Sequence, residues 1–76
     1  MTDRVPATVA AEVRVLVDEL AALPDPAAFD ELISLSDHLG RALGSSARLL
    51  AEASSWSEVA THAGTSKQAA WSRWRM

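Results

Sequence analysis

Apolar residues recur at intervals of three and four from Val9 to Leu23 and again from Phe29 to Leu50, with Pro24-Asp25-Pro26 between the two runs. This periodicity constrains the fold more than any other feature. It places Val9, Val13, Leu16, Val17, Leu20 and Leu23 on one face of a helix running from about Pro6 to Leu23. Pro6 suits a first helical turn, where its missing N–H has no partner in any case, and the Pro-Asp-Pro stretch stops the helix and reverses the chain. Asp25 then caps a second helix with Pro26 in its first turn.

The second run, Phe29, Leu32, Ile33, Leu39, Leu43, Leu49 and Leu50, predicts one long helix from about Ala27 to Ala53, with Asp30 and Glu31 near the positive end of its dipole. At 1.5 Å per residue it reaches roughly 40 Å, so the first helix is expected to lie along it as an antiparallel hairpin. Gly40 and Gly44 each cost about 1 kcal/mol relative to alanine inside a helix. Gly44-Ser45-Ser46 equally suits the end of one helix and the cap of another, so continuity there stays open. The two glycines lie one turn apart and either admit a close second backbone or are merely tolerated.

A chain of 76 residues has room for one small domain, expected to span 1–76, and a two-domain enzyme is excluded. Fifteen alanines and few glycines and prolines favour helix, so the expected fold class is all-α. A monomer of this size is marginally stable without a staple. Without cysteine there is no disulfide, and two histidines without ligand spacing point to no metal site. Self-association is therefore the expected source of extra burial, with a homodimer formed by the N-terminal helices of residues 6–54. Apolar runs fall far short of the about 20 residues that cross a bilayer, and Asp3 stands where a signal peptide carries positive charge. A cytoplasmic protein without membrane contact is expected.

Charge is divided unevenly. Residues 1–54 carry four basic side chains, Arg4, Arg14, Arg41 and Arg48, against nine acidic ones, for a net −5. Residues 55–76 carry Lys67, Arg73 and Arg75 against Glu58 alone, for a net +2. A polyanion is repelled by the first part and attracted by the second, so nucleic-acid contact, if any, belongs to the C-terminal segment.

That segment signals two short helices. Ser55 and Glu58 have capping-box spacing, the hydroxyl accepting from a first-turn N–H and the glutamate reaching back to the serine N–H. Gly64 is able to adopt the left-handed conformation that ends a helix, and Ser66 caps the next. Helices that cross after so short a turn need small residues at the contact, which Ala60 and Ala70 supply, while Val59, Ala63 and Trp74 offer apolar surface to the core. The spacing matches a helix-turn-helix over residues 55–76, whose second helix presents Ser66, Lys67, Gln68, Trp71, Ser72 and Arg75.

Trp56-Ser57-Glu58-Val59-Ala60, then Gly64, then Ser66-Lys67-Gln68-Ala69-Ala70-Trp71 resembles the motif of a large group of small bacterial helix-turn-helix DNA-binding proteins, sigma-region-4-like or repressor-like. The resemblance covers residues 55–75. It implies that the second helix enters the major groove of double-stranded DNA, that Ser66 and Lys67 meet phosphate or base edges, and that Gln68 reads a base. Thr65 departs from the valine or isoleucine usual at its position and is expected to weaken the local core. No wing is expected to follow the motif, so the first two helices are expected to support it.

Chemistry of the individual residues agrees with this reading. The Gln68 amide pairs in two-point fashion with adenine, Lys67, Arg73 and Arg75 neutralise phosphates, and the helix N-terminus at Ser66 suits a phosphate oxygen. Trp71 faces either DNA, through a thymine methyl or a sugar, or a partner chain. Arg73 reads as a surface residue and Trp56 and Trp74 as core.

Nine serines with His38 and His62 invite a hydrolase reading, but no nucleophile elbow, oxyanion loop or Ser-x-x-Lys arrangement accompanies them. No phosphate-binding glycine loop is present either. Neither catalysis nor a cofactor is expected, and both histidines read as helix-surface residues. The rival reading is an acidic helical module, adaptor-like or antitoxin-like, that binds another protein while the C-terminal motif only supports packing.

Overall fold

In a computed structural model, residues 4–76 are described and form four α-helices. These are α1 (Pro6–Ala21), α2 (Pro26–Ala53), α3 (Trp56–Ala63) and α4 (Lys67–Trp74). The protein is all-helical, as the periodicity predicts. No helix is long and apolar enough to cross a membrane among the described residues. Asp3, the residue read against a signal peptide, lies outside them.

The helix boundaries follow local hydrogen-bond chemistry. Val5 precedes α1 without a side-chain cap, and Pro6 in the first turn has no N–H to satisfy. At the start of α2, the Asp25 carboxylate accepts from the Ala27 N–H at 2.9 Å and its carbonyl accepts from Ala28 and Phe29. Helix α2 then runs unbroken through Gly40 and Gly44, which settles the continuity that the sequence leaves open.

The chain divides into two compact units, residues 1–36 and 37–76, and the division falls inside α2. In the first unit, Ala28 is the sole buried residue among those described, and α1 buries none. The stripe from which a hairpin is read lines an open apolar groove of about 590 Å³, formed by Val13, Leu16, Val17 and Leu20 of α1, Leu23 just beyond it and Leu35 of α2. Leu16 and Phe29 are 63% and 65% exposed.

The second unit has a core. Ala47 of α2, Val59 and Ala60 of α3, and Ala70 of α4 are buried together, with Leu50, Ala51, Trp56 and Trp74 packed around them. Three of those four buried residues are alanines, so backbones rather than bulky side chains meet at the centre. Ala63, expected in this core, is exposed and borders it along a notch shared with Leu50, Val59 and Trp74. Thr65 is exposed as well, which corrects its expected effect on the core.

Gly64 ends α3 in the left-handed region at φ 69°. Its N–H donates to Thr61 O at 3.3 Å and the Thr65 N–H donates to Ala60 O at 3.0 Å, the paired bonds of a Schellman closure. Gly40 lies in α2 with open space around the position of an added Cβ. A methyl group is therefore strained at the first glycine and free at the second. Gly64→Ala is expected to lower stability by about 1–2 kcal/mol, and Gly40→Ala to raise it by up to about 1 kcal/mol. Melting followed by circular dichroism checks both signs, and equal shifts in one direction contradict the assignment.

Candidate nucleic-acid interface

Helix α4 is held by its two ends. At its start, Ser66 Oγ accepts from the Ala69 N–H at 3.1 Å, which fixes the cap and leaves the hydroxyl proton free to donate outward. Toward its end, Arg48 of α2 reaches across to donate from Nη1 to Trp74 O at 3.1 Å and also to Met76 O. A guanidinium thus satisfies the Trp74 carbonyl, which the last turn leaves without a helical partner, and a main-chain oxygen just beyond the helix.

Room for Arg48 comes from Gly44, one turn earlier on α2. A Cβ there would lie 3.4 Å from Arg48 Nη1 and 3.6 Å from Trp74 Cδ1. The glycine therefore accommodates side chains of its own chain. Sequence reasoning counts Arg48 only as one basic residue of an acidic half and misses this tie. The available signal is its register, since Gly44, Ala47, Arg48 and Ala51 share one side of α2 at spacings of three and four.

The capping box is half formed. Ser55 Oγ accepts from the Glu58 N–H at 3.0 Å, as its spacing predicts. The Glu58 carboxylate turns instead to His62 Nε2 at 3.1 Å, one turn along α3. His62 is exposed in the last turn of α3, and His38 is exposed on α2.

Ala70 and Trp74 of α4 face the core, and Gln68 and Ser72 lie on the opposite side by the 100° step of the helix. Lys67, Gln68, Trp71, Ser72 and Arg75 are all exposed, as is Ser66. All six residues singled out from sequence thus lie within α4 or cap it, Ser66 at its start and Arg75 at its end.

Two arginine–tryptophan stacks organise the cations. The Arg75 guanidinium lies 4.4 Å from the centre of the Trp71 ring, and that of Arg73 lies 5.0 Å from the centre of Trp74. Arg73 is thereby drawn to the flank, in keeping with its reading as a surface residue. Arg75 and Arg48 line one open groove with Glu52 and Trp56 beside the end of α4. No acidic residue occurs in α4. Among the described residues, no three histidine, aspartate or glutamate side chains gather into a metal-binding cluster.

Replacing Arg48 with methionine keeps an apolar stem and removes the donors. Arg48→Met is expected to cost about 1 kcal/mol, a value reduced from that of buried charged hydrogen bonds because the tie is partly exposed. Amide hydrogen exchange should then quicken from Trp71 to Arg75 and stay unchanged in α3. Unaltered protection in α4 would show that Arg48 does not hold it. No known protein family, curated protein or solved structure matches this chain.

Proposed function

We propose that this chain is a homodimeric helix-turn-helix protein that binds double-stranded DNA sequence-specifically and regulates transcription. The observation that carries the reading is α4 itself. It is a capped helix without acidic residues, tied at its far end by Arg48, and it leaves Lys67, Gln68, Trp71, Ser72 and Arg75 exposed.

In this reading α4 enters the major groove. Gln68 presents an amide that matches adenine N6 and N7, and Lys67 and Arg75 contact phosphates. Ser66 supplies an outward hydroxyl proton beside the positive end of the helix. Arg73, stacked on Trp74, contributes to the local field rather than to base reading.

Three cations per motif are few, because affinity for duplex DNA grows with the number of phosphates neutralised. A dimer doubles them and engages half-sites about 34 Å apart, one helical turn of DNA. Support for self-association comes from the first unit, where Ala28 is the one buried residue among those described and Val13, Leu16, Leu23, Phe29 and Ile33 are exposed. Pairing two copies of an antiparallel α1–α2 hairpin covers these residues and supplies the burial that a small chain lacks.

The test is selection of duplexes from a randomised pool by the full chain, followed by mobility-shift titration. Gln68→Ala should relax preference at one base pair per half-site, and Lys67→Ala should weaken binding to every sequence by a similar factor. Equal affinity and selectivity in both variants would contradict these roles. Retention of no duplex, with one protein co-purifying stoichiometrically, would favour an acidic protein-binding module. For the dimer, Leu16→Glu and Phe29→Glu should halve the mass measured by sedimentation equilibrium. In a monomer such exposed substitutions change stability by about 0.5 kcal/mol or less and leave the mass unchanged.

A further inference from the structure

Three tryptophans occur in the chain, and two of them pack on the alanine core. Trp71 does not. It stays 43% exposed on α4, and the one other large apolar side chain of that helix is the half-buried Trp74, one turn on. Its other neighbours one turn away are Lys67, Gln68 and Arg75, all polar or cationic.

A tryptophan that anchors a protein interface is normally ringed by apolar or neutral contacts that exclude water. Here the ring carries a guanidinium at 4.4 Å, on a helix without a carboxylate, in a segment of net charge +2. Such surroundings complement a polyanion. Stacking restrains both side chains in advance, so little freedom is lost when they meet a ligand.

The major groove offers an aromatic ring one distinctive apolar partner, the C5 methyl of thymine. Residues three apart on a helix are neighbours about 5–6 Å apart, so Gln68 and Trp71 span the same or adjacent base pairs. We propose that Trp71 recognises a thymine methyl beside the adenine read by Gln68, while Arg75, held on the ring, meets the adjoining phosphate. This inference rests on the DNA-binding reading above and extends it to an A·T-containing recognition element.

The test separates the two claims. Duplexes selected by the full chain from a randomised pool are resynthesised with deoxyuridine in place of thymidine, which removes only the methyl groups. Wild-type protein should bind the uracil duplexes about fourfold more weakly for each methyl contacted. Trp71→Ala should bind both sets equally, and Trp71→Leu, which keeps an apolar tip, should retain part of the ratio. A wild-type protein indifferent to the exchange overturns the proposal while leaving DNA binding intact. The proposal also fails if both variants keep the full wild-type ratio, or if they lower the protein's mass in sedimentation without changing it, the mark of a protein interface. Failure of the wild-type chain to retain any duplex removes the DNA-binding reading itself.

Discussion

Ala70 exposes none of its surface, and the C-terminal unit depends on that contact. Two eight-residue helices are too short to persist alone, since isolated helices below about 12–15 residues are marginal in water. They persist by packing, and close packing requires that no bulky side chain stand between the backbones. Ala47, Ala60 and Ala70 meet this need, and Val59 with the half-buried Trp56, Trp74 and Leu50 closes the surrounding space. Everything proposed for the outer side of α4 follows from its inner side being fixed this way.

The two units differ in how complete they are. Residues 37–76 possess a shared core, a Schellman closure and the Arg48 tie. Residues 1–36 possess well-formed helix ends and an unfilled apolar groove. Local hydrogen bonding fixes where α1 and α2 begin, but burial is what stabilises short helices in water. The contrast explains why self-association is assigned to the N-terminal part and DNA contact to the C-terminal part. Their charges divide in the same way.

Short-range chemistry was legible in the residues. Asp25, Ser55, Gly64 and Ser66 act where their types and spacings indicate, because a cap or a left-handed turn is decided within four residues. Ala60 and Ala70 were legible as contact residues for the same reason. The Arg48 tie to Trp74 spans 26 positions, and the register of Arg48 with Gly44, Ala47 and Ala51 marks its side of α2 but not its partner. Glu58 had two partners within one turn, the Ser55 N–H and His62, and spacing does not choose between them. Gly44 was recognised as unusual, but its neighbour proved to be the Trp74 ring and the Arg48 guanidinium rather than another backbone. Exposed roles are the least legible, because Gln68 and Ser72 look alike in solvent whether or not a ligand ever meets them.

Backbone NMR of the labelled full chain, titrated with mixed-sequence duplex DNA at low ionic strength, tests the central claim most directly. The account predicts shift changes concentrated from Ser66 to Arg75, including the Trp71 indole N–H, that recede as salt is added. Spectra unchanged by duplex, or changes confined to residues 6–36, would contradict it.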